Sequence, residues 1–173
     1  MGKQAPKVVG LTRTQLLATN YERELEFYKS HHRNSVNIAI HLLSIPLELL
    51  SVLMIFPSST LFTTLSLLYC LLIGSYCSVV TKNYWTKLFV IPLHVLVAIL
   101  NYAVKSYFFE GMYMHAIKVA IMIHCSSWFL QVIIGHFYIE NNHPGMMNKL
   151  TIYSIIISNS LALETFINHF LDR

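Results

Sequence analysis

An all-α polytopic transmembrane helical bundle of about five helices, preceded by an N-terminal interfacial helix, is the fold class this sequence predicts. Three observations predict it. The chain is 55% hydrophobic, carries only 12% charged residues and has a mean hydropathy of +0.54, too apolar for an ordinary soluble domain. Its apolar residues fall in runs long enough to cross a hydrocarbon layer, separated by short polar breaks. Charge is gathered at the start: six of the twelve Lys and Arg lie within the first 33 residues, interleaved with Glu22, Glu24 and Glu26. That mixture forms no basic stripe. The net charge of +4 therefore reads as membrane topology and surface attraction, with membrane lipid and not nucleic acid as the partner.

The elements follow in order. Residues 1–20 read as an arm and 21–173 as one membrane-embedded domain. The first twenty residues hold no continuous apolar core, so the first membrane helix is expected to direct insertion without a cleaved signal. Over 11–30, Leu16, Leu17, Tyr21, Leu25 and Tyr28 recur on one side of a helix, the pattern of an interfacial segment. The first span is expected over 38–56, kinked at Pro46 and ended by 57–59. The second runs over 61–80 and is followed by a polar, aromatic loop, 81–87. The third covers 88–104. A connection at 105–111 leads to the fourth, 112–139, which closes in the polar run 140–145. The fifth, 150–170, is interrupted by Asn159 and Glu164. Cys70, Cys77 and Cys125 are odd in number, sit inside apolar runs and lack metal-ligand spacing, which makes them packing residues.

With five crossings, the arm and the loops 81–87 and 140–149 fall on one side, cytosolic by the positive-inside tendency. His31, His32, His41, His136, Glu140 and His143 then gather at that end of the bundle. His32 and His41 are nine residues apart, which on one unbroken helix would put them on opposite faces. They converge only if the chain turns at Arg33-Asn34-Ser35, where Asn34 or Ser35 can cap a new helix. His136 and Glu140 are spaced by one helical turn and project from one face, so they can bind one ion, or the carboxylate can orient the imidazole. Gly135 allows a helix or ligand to approach the backbone beside them. Imidazoles with a carboxylate and open positions are how non-haem iron is held. His32, His41, His136 and Glu140 are the candidate catalytic and metal-binding residues, with His143 the other candidate to complete the shell. His94, His115 and His124 read as structural or pore-lining. Glu48, on the His41 face two turns deeper, reads as a protonated carboxyl or a partner of Lys105.

The run Phe27-Tyr28-x-x-x-His32-x-x-x-x-Asn37-x-x-Ile40-His41-x-x-x-x-Pro46, the later Gly135-His136-x-x-x-Glu140-x-x-x-Pro144, and Glu164 together resemble the fungal-type 2-hydroxy fatty acid (2-hydroxypalmitate) dioxygenase family, over roughly residues 20–166. The resemblance implies an iron(II)-dependent, multi-pass enzyme of the endoplasmic reticulum membrane. Such an enzyme uses dioxygen to remove one carbon from 2-hydroxy fatty acids, the α-oxidation step of phytosphingosine breakdown. Carried over residue by residue, His32, His41 and His136 fall on the family's histidines, and Glu140 and Glu164 on its acidic positions. One departure is geometric: the family's usual Trp-x-x-Gln-x-x-Gly-His is stretched by one residue here, between Gln131 and Gly135.

The chemistry agrees with what the residues can do. A 2-hydroxy acid offers a carboxylate and an adjacent hydroxyl that can chelate one iron and leave a position for dioxygen. No nucleotide fingerprint or haem-attachment signature is present. Glu164 lies so far into the fifth span that helical rise puts it about 21 Å from the cytosolic end. It is expected to be structural unless that helix re-enters. A small carrier or assembly factor with structural histidines is the alternative reading. A di-iron hydroxylase would need His-x-x-His-His pairs that the sequence lacks.

Overall fold

The computed structural model describes residues 13–147 and 152–171. The arm expected over 1–20 thus lies largely outside the described residues, as does the start of the fifth expected span. Among the described residues there are six α-helices and no strand: α1 (Arg13–His31), α2 (Ser35–Met54), α3 (Thr60–Val80), α4 (Tyr84–Phe108), α5 (Tyr113–Trp128) and α6 (Ile152–Phe170). A π-helical segment, Phe129–Glu140, continues α5 without a break.

Local chemistry sets the helix starts. Asn34 takes an extended conformation and its side chain accepts from the Val36 N–H, starting α2 at the turn expected there. Ser59 caps α3 in the same way, and Asn83 caps α4 by accepting from the Thr86 N–H. That last cap corrects the sequence reading: the polar, aromatic stretch 81–87 is mostly the first turn of a helix, because Asn83 supplies a start that aromatic composition hides. Pro46 lies inside α2, which continues through it.

Among the described residues, four helices are long and apolar enough to cross a membrane: α2, α3, α4, and α5 with its π-helical continuation. Their outward faces carry exposed Leu, Ile and Phe, the surface a membrane-embedded bundle presents to lipid. The expected fifth span, α6, is not one of the four. Its contacts explain where it lies. Short connections make the four long helices alternate in direction, so the α3–α4 turn and the start of α2 share one end of the bundle. Near its start, α6 donates from Ser154 to Glu24 of α1 (3.0 Å). Further on, Glu164 accepts from Thr81 at the end of α3 (2.5 Å), and Asn168 accepts from Asn83 (3.1 Å). α1 lies across the same end, from the Glu22–Lys82 ion pair at the α3–α4 turn to the start of α2. Glu164 therefore sits level with the end of α3, at the bundle end that also holds the start of α2. α6 packs chiefly against α2 and α4, with α1 beside its start and the end of α3 beside Glu164.

Glu164 is held there by a buried network. The Tyr21 hydroxyl donates to its Oε2 (2.8 Å) and also pairs with Ser160 Oγ (2.8 Å), amid a core of Leu25, Cys77, Val80, Val90, Ile157 and Leu161. Burial first, then the charge of Glu164, pushes the Tyr21 phenol upward, so it stays protonated and remains a donor. At the opposite end, Lys105 donates to the backbone oxygens of Leu53 (2.7 Å) and Phe56 (2.8 Å), filling carbonyls that the end of α2 leaves free. The pairing of Lys105 with Glu48 expected from sequence does not occur.

Removing the Tyr21 hydroxyl with Tyr21→Phe leaves a buried carboxylate short of one donor. The expected cost is about 1–3 kcal/mol. A lowered melting temperature in detergent with unchanged metal content is the outcome anticipated, and loss of metal in parallel would tie this network to the histidine site instead.

Candidate functional site

Three histidines meet where α1, α2 and the π-helical segment converge. His32 follows α1, His41 lies in the second turn of α2, and His136 comes from the π-helical segment. Ring centroids are separated by 4.2 Å (His32–His41), 4.8 Å (His32–His136) and 5.0 Å (His41–His136), and one nitrogen of each lies within 4.8 Å of the others. All three are buried.

Two of the rings have their protons fixed by backbone. His32 Nδ1 lies 2.7 Å from the Tyr28 carbonyl oxygen and His41 Nδ1 lies 3.0 Å from that of Asn37. A carbonyl only accepts, so each Nδ1 carries the proton and each Nε2 keeps its lone pair. This is how metal-ligating histidines are oriented. The Nε2 of His32 is buried with no hydrogen-bond partner, and so is Nδ1 of His136. Buried polar atoms without partners are costly, and a cation shared among neutral imidazoles would satisfy them. Burial, and then the neighbouring His41, hold the His32 imidazole well below its usual 6.5, which keeps it in the neutral form a metal needs. The donor set thus fits a divalent transition-metal ion.

Glu140 stands apart from the cluster. Its Oε1 accepts from the backbone N–H groups of Arg33 (2.7 Å) and Asn34 (2.7 Å) and from Asn37 Nδ2 (3.2 Å). The carboxylate therefore closes the turn between α1 and α2, the turn that lets His32 and His41 converge. The close approach expected at Gly135 is present: a Cβ there would run into Asn37 Oδ1 and lie 3.4 Å from His41 Cε1. His143 is exposed, with its ring against Phe137, and does not join the three histidines.

The cluster opens on a cavity of about 170 Å³ walled by Phe27, Tyr28, Ile45, Glu48, Trp128, Gln131, Val132, Ile155 and Leu161, among others. Tyr28 stacks on His32 at 3.8 Å, and burial, then the charge of Glu48, keeps its phenol protonated. Gln131 donates from Nε2 to Glu48 Oε1 (2.6 Å). Sequence reasoning missed this pair and the π-helical winding that makes it. On an α-helix, Gln131 and His136 would sit about 140° apart. The i→i+5 bonding of the π-helix brings both to the cavity. The one-residue excess between Gln131 and Gly135 was the visible signal, since an extra residue is what a wider turn absorbs. His94 donates from Nδ1 to the Val90 carbonyl and His124 pairs with Ser51, both away from the three-histidine cluster. Cys70 and Cys77 are buried, Cys125 is exposed, and all three are free.

A model of the Mpo1-like family, described as 2-hydroxy-palmitic acid dioxygenase Mpo1-like, matches residues 18–170. No curated protein and no solved structure matches the chain.

Two outcomes test this geometry. Gly135→Ala forces Asn37 away from Glu140 and should weaken metal binding about 10- to 100-fold, the usual effect of disturbing groups that orient ligands. A competition titration with a metal chelator measures it, and native affinity would mean that Asn37 is not part of the support. His32 supplies the second. Its folded value lies below the unfolded 6.5, so the unfolded chain binds the proton first as pH falls. Stability is then fully present above 6.5 and is lost progressively below it. Metal-free protein in detergent should hold its melting temperature above about pH 7 and lose it towards about pH 5, less steeply in His32→Gln.

Proposed function

Because the chain belongs to the Mpo1-like family, we propose that it is a non-haem iron(II)-dependent membrane dioxygenase that removes one carbon from long-chain 2-hydroxy fatty acids. The observation that supports this best is the cluster of three neutral imidazoles opening on a cavity with an apolar wall. His32, His41 and His136 hold the metal. Glu140 acts as a positioning residue, because its carboxylate oxygen already serves three donors at the start of α2. Iron, when bound, supplies the site for dioxygen and for the oxygens of the substrate.

The remaining work belongs to the chain's own residues. The polar head of the acid sits beside the histidines, and the acyl chain lies along Ile45, Val132, Ile155 and Leu161. These side chains keep water from the reacting carbon. The histidine end of the bundle also carries Lys82 and Lys87, so the positive-inside tendency faces it to the cytosol. Following the family resemblance, we place the protein in the endoplasmic reticulum membrane and the reaction in the α-oxidation step of phytosphingosine breakdown.

The test is metal content by mass spectrometry on protein purified in detergent without oxygen, with His32→Ala and His136→Ala beside the native chain. Near-stoichiometric iron is expected in the native protein and in neither variant, together with oxygen-dependent conversion of 2-hydroxypalmitate to the acid one carbon shorter. Folded native protein that takes up no iron, or a fully active His136→Ala, would falsify the reading.

A further inference from the structure

The histidine cavity holds a second group of polar side chains that metal binding does not use. Tyr28 lines the cavity, and its hydroxyl is buried with no hydrogen-bond partner. Glu48 and Gln131 line it too, on α2 and the π-helical segment. One Glu48 oxygen is taken by Gln131, which leaves the other free to accept. Neither feature is easily structural. A buried hydroxyl left unpaired costs about 1–3 kcal/mol. A carboxyl inside a membrane-crossing helix marks function by default. The other buried atoms without partners outside the three histidines, such as His94 Nε2 and Asn101 Oδ1, belong to residues that do not line this cavity.

The chemistry of the group identifies what it recognises. A phenol donates, and a carboxyl oxygen accepts. A carboxylate ligand would take the first bond but be repelled by Glu48, and an alkyl chain would take neither. A hydroxyl both donates and accepts, so of the three groups a 2-hydroxy fatty acid carries it is the one that uses the two together. Among the described residues, no Lys or Arg lines the cavity.

Resting on the proposed function, we infer that Tyr28 and Glu48, with Glu48 held in place by Gln131, are the residues that recognise the 2-hydroxyl of the substrate and set the preference for 2-hydroxy over unsubstituted fatty acids. Tyr28 donates to the hydroxyl oxygen and Glu48 accepts its proton in a hydrogen bond. Tyr28 also stacks on His32 at 3.8 Å, which puts this recognition next to the metal-binding edge of the cavity. Sites that hydrogen-bond a substrate hydroxyl reject analogues lacking it far more strongly than apolar pockets do, because the site's own polar groups are then left unpaired.

Equilibrium binding of 2-hydroxypalmitate and of palmitate to the full-length protein in detergent tests this. Binding is measured with redox-inert zinc in place of iron, so that no turnover intervenes. The native protein should prefer the 2-hydroxy acid by at least about tenfold. Tyr28→Phe, which keeps the ring and its stacking, and Glu48→Gln should each bring that ratio towards one by weakening the 2-hydroxy acid while palmitate binds as before. Tyr28→Phe should match or exceed the native melting temperature, since it deletes an unpaired buried hydroxyl. A native ratio retained in Tyr28→Phe overturns the inference, as does an equal loss of both acids or a large fall in melting temperature. Native protein that binds neither acid overturns the proposed function, and this inference with it.

Discussion

The carboxylate of Glu140 is the contact on which the site depends. The start of a helix leaves backbone N–H groups without partners, and the break between α1 and α2 exposes two of them on Arg33 and Asn34. Glu140 Oε1 accepts both, with Asn37 Nδ2 as a third donor. Negative charge at a helix N-terminus is favoured by the helix dipole, more so where water is scarce. One side chain thus ties the last residue of the π-helical segment to the first turn of α2. His32 precedes that knot, His41 follows it by two turns, and His136 sits one turn before Glu140. The three imidazoles converge because of a carboxylate that is not one of them.

The π-helical winding is the second constraint, and it works in the same direction. Twelve residues bonded i→i+5 give up the tighter packing of an α-helix, a cost kept where function needs it. Here the wider turn lets Gln131 reach Glu48 while His136 reaches the other histidines and Glu140 reaches Asn34. An α-helix through the same residues would turn one of these contacts away. Gly135 belongs to the same arrangement, since any larger residue would collide with Asn37.

Much of this was legible in the sequence, for reasons that also mark where legibility stopped. Apolar runs report membrane helices because a bilayer demands length and apolarity together, and the turn at 33–35 was readable because Asn34 is a capping residue. The three histidines followed from that turn and from the shared end of the bundle. Glu140 was legible as a partner of the site but not as a cap, because helical spacing reveals a face and not which oxygen meets which N–H. Lys105 was read as a partner for Glu48 from charge alone, whereas the free carbonyls at the end of α2 offered it a better place. α6, the described part of the fifth expected span, is less apolar than the four long helices. What fixes its second half, the bonds of Glu164 and Asn168 to the α3–α4 turn, involves residues far away in sequence.

The position of α6 then has a consequence for the kind of molecule the cavity can take. Two of its walls, α2 and the π-helical segment, belong to helices long and apolar enough to cross a membrane, and two, α1 and α6, belong to helices that are not among these. A cavity inside four crossing helices would suit a wholly apolar ligand, and one among surface helices a wholly polar ligand. This one joins the two environments. Its imidazoles stand at the junction, and each side mixes the two kinds of lining: Ser154, Ser158 and Glu24 with Ile155 and Leu161 on the α1–α6 side, and Glu48 and Gln131 with Ile45 and Val132 on the other. A long amphiphile with its reactive carbon next to its head satisfies both sides at once. That fit is the physical reason ligands at a helix start suit the proposed substrate.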